Sequence, residues 1–191
     1  MKTRRENGIS LLEVLVSIFV LSFGVIGAVG MQLTAMRTAQ ESAFHTAALQ
    51  LATEMAEKMR ANTEQMKLGD EENPFIAVDY APTGEAEPGV PGKLCYSTHC
   101  DSAELADFDI YEWKKRINAL LPHSRARICR DAAWDAAQAQ LTWACHPGSG
   151  NSGPYVIKLG WRMKDPDGRF GAGADKDFPP AVAVIVEPYF Q

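Results

Sequence analysis

Charge is almost missing from the front of this chain. Between Glu6 and Arg37 the one charged residue is Glu13. Helix breakers are missing next: no proline or glycine lies between Met31 and Gly69, so nothing in that stretch interrupts a helix. Basic residues are too few for a nucleic-acid partner. Nineteen Lys and Arg face 24 Asp and Glu, for a net charge of −5, and no basic stripe with interleaved aromatics occurs. The four histidines, His45, His99, His123 and His146, have no nucleophile-elbow context such as G-x-S-x-G, so no catalytic residue is assigned and no enzyme is read. Nothing in the pattern calls for a cofactor. Finally, no A-x-A-like cleavage site follows the apolar run after Gly30, which excludes an ordinary secretory signal.

What is present begins with a short basic leader, Met1 to Asn7, carrying Lys2, Arg4 and Arg5. It ends at Gly8, where polar sequence gives way sharply to apolar. Val14 to Met36 is then an uncharged stretch of 23 residues. At about 1.5 Å per residue it reaches roughly 34 Å, enough to cross a bilayer core of about 30 Å. The positive-inside rule puts the basic leader in the cytoplasm and everything after Met36 on the other side. Glu13 is costly in that setting. A charged side chain at the centre of a membrane helix costs roughly 2.5–3.5 kcal/mol, less near its end. Either it snorkels to the interface or it waits for a cation. A cut after Gly8 would supply one, because the new amino terminus would be Ile9, four residues before Glu13.

These residues carry a family resemblance. Gly8 followed by Ile9-Ser10-Leu11-Leu12-Glu13 resembles the class III leader of type IV pilins and pseudopilins, with isoleucine where phenylalanine is usual. Further on, Cys95 and Cys100 precede a helix with Trp113 and Leu120-Leu121-Pro122, followed by Cys129, Cys145 and a strand with Trp161. That order is similar to the PilV-type minor pilins of type IV pili. The resemblance implies a type IV pilin fold and a prepilin peptidase that cleaves between Gly8 and Ile9 and N-methylates Ile9. It also implies an assembly role for Glu13, pairing with the amine of a neighbouring subunit. An unpaired buried charge costs several kcal/mol, and pairing recovers much of that.

The chain reads as a leader (1–8), a transmembrane or filament-core helix (9–36) and a head (37–191). Within the head, Phe44, Ala48, Leu51, Met55 and Met59 fall on one helical stripe, and Glu41, His45, Gln50, Glu54, Glu57 and Lys58 lie opposite. One long helix from about Ile9 to Asn62 is expected, amphipathic over 37–62. Gly24, Gly27 and Gly30 interrupt its apolar half in composition only. Close helix packing, local unwinding in a filament, and the ordinary glycine content of membrane helices all account for them.

A loop and a second helix fill 63–124. Gly69, Pro74, Pro82, Gly84, Pro88, Gly89, Pro91 and Gly92 punctuate the loop, and its run Phe75 to Tyr80 suits a docked strand. Asp101 and Glu104 have capping-box spacing, and Leu105, Phe108, Trp113, Ile117, Leu120 and Leu121 give the helix an apolar face. Lys114, Lys115 and Arg116 sit near its C-terminal end, where cations suit the dipole. Over 125–191 an antiparallel sheet is expected, with strands near Arg125–Arg130, Ala139–His146, Tyr155–Lys164 and Ala181–Glu187. Trp143 and Trp161 are assigned to the core between sheet and long helix. The fold class is α+β: a long N-terminal helix on a four-stranded antiparallel sheet.

Four cysteines beyond a membrane read as two disulfides, with three connectivities possible. Cys95–Cys100 as a local loop and Cys129–Cys145 between neighbouring strands is the favoured pairing. Zinc is the competing reading, since His99 and His146 abut cysteines, but the Cys129 to Cys145 spacing does not fit a zinc pair. Gly148-Ser149-Gly150-Asn151-Ser152-Gly153 matches G-x-G-x-x-G, yet a strand-like segment follows it, so it reads as a hairpin loop and not a dinucleotide site. Asp165, Asp167, Asp175 and Asp177 bracket a possible calcium position without EF-hand spacing.

The functional expectation is assembly without chemistry. The resemblance implies a minor pilin that joins a tip or priming complex and promotes type IV pilus assembly, supporting twitching motility and attachment. Its partners would be other minor pilins, the major pilin, a tip adhesin and prepilin peptidase. It would sit single-pass in the inner membrane with a periplasmic head, then at the pilus tip on the cell surface. A minor pseudopilin of a type II secretion system shares the N-terminal chemistry and is the alternative. A membrane-anchored periplasmic enzyme or metal module is the third reading, predicting an uncleaved anchor.

Overall fold

The computed structural model describes residues 10–82, 87–133, 141–163 and 178–187. The chain divides into two units, one ending at Ala43 and the other beginning at Phe44. Helix α1, Leu11–Ala61, is a single helix of 51 residues; it runs through Gly24, Gly27 and Gly30 and on into the stretch without breakers after Met31. Every large apolar side chain from Leu11 to Met36 is between 47% and 82% exposed, so the first unit has no core of its own.

In the second unit the stripe read from the sequence turns inward. Ala48, Leu51, Met55 and Met59 are buried, joined by Ala52 and Ala56, and Phe44 packs against the same cluster. Asn62 ends the helix. Its side chain accepts from the Gln65 N–H and so caps the short helix α2, Thr63–Met66, while its amide donates to the Ser102 carbonyl at 2.7 Å. One buried residue thereby fixes where three helices meet.

Helix α3, Ser102–Leu120, starts with the capping box that Asp101 and Glu104 announced; both reciprocal hydrogen bonds are made. Its buried stripe is Ala106, Ile110, Trp113 and Ile117. Leu105 and Leu120, assigned to the apolar face, are 40% and 47% exposed, because the i, i+4, i+7, i+11 stripe centres on Trp113 and leaves them at its margins.

The sheet has four antiparallel strands in the order β1-β2-β3-β4: β1 Asp79–Tyr80, β2 Arg125–Arg130, β3 Tyr155–Gly160 and β4 Val182–Val186. Ile128 lies beside Ile157, and Ile157 beside Val184. That row, with Ala126, Leu159 and Val182 alongside, faces the helices and completes the core. Three of the four expected strands are present, with Tyr155–Lys164 ending early at Gly160. Trp161 therefore follows the strand, packed against the core and partly buried.

The fourth strand is a correction. No strand runs through the described part of Ala139–His146, residues 141–146. The sheet's outer strand is instead β1, from the run Phe75 to Tyr80. The reason is where the carbonyls of 142–146 find donors. Arg127 Nη1 donates to the Trp143 carbonyl at 2.9 Å, Lys158 Nζ to the carbonyls of Thr142 and Ala144, and the Ala132 N–H to that of His146. The segment lies over the outer face of β2 and β3, held mainly by side chains, with one main-chain bond from Ala132, and not by a ladder. All of β3 is therefore buried: Tyr155, Ile157 and Leu159 by the core, Val156 and Lys158 by this cover.

Trp143 is likewise a correction. It lies outside the core cluster, edge-on to Phe178 at 6.1 Å and under the Arg125 guanidinium at 4.7 Å. A Cβ on Gly160 would come within 3.0 Å of both rings, so glycine is what admits this aromatic pair. The tryptophan that does fill the core is Trp113, 0% exposed.

Candidate assembly interface

Glu13 stands in the first turn of α1, where the partial positive charge of the helix N-terminus suits a carboxylate. Its N–H donates to the Ser10 carbonyl at 2.9 Å, so the turn is already helical there. From Ser10 to Met36 it is the one charged residue, surrounded by exposed apolar side chains. Among the described residues, α1 is the one helix long and apolar enough to cross a membrane by length and composition.

The polar groups beside Glu13 are self-contained. Ser17 Oγ donates to the Glu13 carbonyl at 2.7 Å, Ser22 Oγ to Ile18 at 2.7 Å, and Thr34 Oγ1 to Gly30 at 3.2 Å. Thr38 Oγ1 returns to Thr34 at 3.1 Å. Such i to i−4 bonds satisfy a hydroxyl within its own helix. Glu13 has no such resource, since a carboxylate only accepts.

Small residues shape the rest of this surface. A Cβ on Gly24, Gly27 or Gly30 would meet nothing within 4 Å, so the fold of this chain alone does not require glycine there. Gly27, Gly30, Thr34, Ala35, Thr38 and Ala39 line a shallow depression along one side of the helix. Phe19 and Phe23 stack edge-to-face at 4.8 Å, one turn apart.

Gly8 and Ile9, the residues expected to flank a cleavage, lie outside the described residues. So do Asp165, Asp167, Asp175 and Asp177. The cysteines join as Cys95–Cys100 and Cys129–Cys145. Cys129 lies in β2, but Cys145 belongs to the covering segment and not to a neighbouring strand, so the second bridge pins that segment to the sheet. With all four sulfurs in disulfides, His99 and His146 have no adjacent thiolate for zinc. Among the described residues no three His, Cys, Asp or Glu side chains converge as metal ligands. The G-x-G-x-x-G stretch is a turn containing Gly148 and Gly150 at positive φ, and it leads into β3 and not into a helix. At Gly153 a Cβ would stand 2.8 Å from the Ala132 N and 2.9 Å from the Pro147 O, a close approach between two backbone segments.

One feature escaped the sequence reading. Lys158, 1% exposed, donates to Asp131, 4% exposed, at 2.5 Å, and Asp131 also accepts from the N–H groups of Ala133 and His146. The signal was a lysine in the apolar strand Tyr155-Val156-Ile157-Lys158-Leu159. This pair and the Cys129–Cys145 bridge together hold the cover on the sheet.

Two family models match the chain. The Prokaryotic N-terminal methylation motif matches residues 3–29, and Type IV pilin Tt1218 matches residues 30–111, so the two adjoin. No curated protein and no solved structure matches it.

Proposed function

Because the chain belongs to the type IV pilin family, we propose that it is a minor pilin of a tip or priming complex that promotes type IV pilus assembly. The observation that carries an assembly role is Glu13: one carboxylate in the first turn of a helix whose apolar side chains are all exposed from Leu11 to Met36. Prepilin peptidase cleaves between Gly8 and Ile9 and methylates Ile9. The resulting cation, four residues before Glu13 in sequence, gives a neighbouring subunit's carboxylate its partner. The order of cysteines and tryptophans supports a minor subunit of the PilV type, with other minor pilins, the major pilin and a tip adhesin as neighbours. Before assembly the helix anchors the chain in the inner membrane with the head in the periplasm. After assembly the protein stands at the pilus tip, and twitching and attachment depend on it through the filament.

Intact mass spectrometry of the mature N-terminus, with and without prepilin peptidase, tests this reading. A chain beginning at N-methylated Ile9 only when the peptidase is present is the expected result. A leader retained in both would remove the cation that Glu13 requires and leave a simple membrane-anchored domain.

A further inference from the structure

Tyr96 is an exposed aromatic that is held still. It is 64% exposed, yet three contacts fix it. The Cys95–Cys100 bridge closes a short loop that contains it. Its ring meets Phe108 of α3 edge-to-face at 4.9 Å. Its hydroxyl donates to Glu112 Oε1 at 2.6 Å. A side chain that must be immobilised on docking costs about 0.5–1.5 kcal/mol, and here the fold has already met that cost. Large aromatics presented in this way are the usual anchors of protein interfaces.

The chemistry around the ring selects a cation. An edge-to-face neighbour covers at most one face of a ring, so a face of Tyr96 stays open, and the face of an aromatic ring attracts cations. The Glu112 carboxylate stands at the hydroxyl end of the same ring. Lys115 reaches that carboxylate only at 3.9 Å, and its Nζ lies over Tyr111 instead, at 5.8 Å from the centroid. Among the described residues no cation stands over Tyr96. The surroundings are acidic as well. Asp101 to Glu112 hold five acids and no Lys or Arg. Lys93 and Lys58 pair with Glu104 and Asp109, while Asp101 and Asp107 have no cation within ion-pair distance among the described residues. This surface repels an anionic partner, and a neutral sugar would leave its charge unanswered. An arginine answers both features, because its planar guanidinium stacks on a ring and offers a fork of N–H donors to a carboxylate. We propose that Tyr96 and Glu112 form a docking site for an arginine side chain from the head of a companion pilin. The proposal rests on the minor-pilin reading for its choice of partner.

The test uses the full chain co-expressed with its companion pilins and carrying a photo-crosslinking residue in place of Ser97, which is exposed beside Tyr96. The expected crosslink maps to a companion pilin within reach of an arginine. Tyr96→Ala and Glu112→Arg each lower its yield about ten-fold or more, the second by setting two cations against each other at a docking site. Changing the mapped arginine to glutamate restores the yield in the Glu112→Arg background, a rescue that a purely structural role for Glu112 would not give. The proposal is overturned by an absent crosslink, by one that forms only to lipid, to polysaccharide or to another copy of this chain, or by one with no arginine within reach. It is also overturned by a yield unchanged in either variant or by a failed rescue. The mass of the mature N-terminus separates the two readings. A leader retained in the presence of prepilin peptidase defeats the pilin assembly reading whatever the crosslink shows, whereas N-methylated Ile9 with no crosslink defeats the Tyr96 site alone.

Discussion

The indole N–H of Trp113 donates a 2.8 Å hydrogen bond to the main-chain carbonyl of Leu51, both residues being buried. A side chain of α3 thus reaches the backbone of α1 and sets the register between the two helices. Trp113→Ala is expected to destabilise the head by about 3–5 kcal/mol, the range for emptying a buried tryptophan site. Trp113→Phe keeps most of the volume and loses a bond worth about 1 kcal/mol. Thermal melts of the full chain in detergent should rank wild type above Trp113→Phe above Trp113→Ala. Equal midpoints for the two variants would show that the hydrogen bond, and not the volume, matters here.

Asp131 gives the head an acid limit. Burial alone would raise its pKa, but the Lys158 ammonium and the N–H groups of Ala133 and His146 outweigh that and hold it below the ordinary aspartate value of 3.8. A depressed folded pKa means stability that is complete above the unfolded value and lost as pH falls through the folded one. Unfolding free energy should therefore decline below about pH 4. Asp131→Asn should cost about 3–5 kcal/mol at neutral pH by stranding the buried Lys158 charge, and its pH profile should be flatter in the acid range. An acid slope unchanged in Asp131→Asn would assign that limit to other carboxylates.

The two disulfides should differ in weight. Cys129–Cys145 spans a sequence separation of 16 and Cys95–Cys100 one of 5. Chain entropy gives about 3 kcal/mol for the larger loop and about 2 kcal/mol for the smaller. The larger bridge also holds the cover over β3. Hydrogen exchange on the Cys129→Ser, Cys145→Ser double variant should show faster exchange in Tyr155–Gly160, while the same change at Cys95 and Cys100 should leave that strand protected. Equal protection in both variants would mean that the Lys158–Asp131 pair holds the segment unaided.

Glu13→Ala should leave the amount of protein in the membrane unchanged and remove most of it from sheared filaments. Glu13→Asp, which keeps the charge on a shorter arm, should fall between. Immunoblots of the two fractions give the ratio directly, and a wild-type ratio for Glu13→Ala would end the pairing mechanism.

Local signals were the legible part of this fold. Asp101 and Glu104 mark their helix start because a capping box is complete within four residues. The Ala48 to Met59 stripe and the strands Arg125–Arg130 and Val182–Val186 are periodic or β-branched over their own length. The segment around Thr142–His146 was not legible, because its pattern resembles a strand and its carbonyls are claimed by Arg127, Lys158 and the Ala132 N–H, which lie far from it in sequence or outside any ladder. Trp143 misled for a related reason, while Trp161 does pack against the core: a tryptophan is apolar on either face of a sheet, and its neighbours decide which face it covers. In the interface, Glu13 stood out as a lone charge.

The back-bonded hydroxyls of Ser17, Ser22, Thr34 and Thr38 have a consequence for how such a helix travels. Each keeps the same acceptor whether lipid tails or protein side chains surround it, so moving the helix from bilayer to filament exchanges one oil-like solvent for another without breaking a hydrogen bond. The rod is indifferent to its medium along nearly its whole apolar length. In the proposed pairing, direction comes from a single atom pair at one end, the point at which a carboxylate stops being solvated and starts being matched.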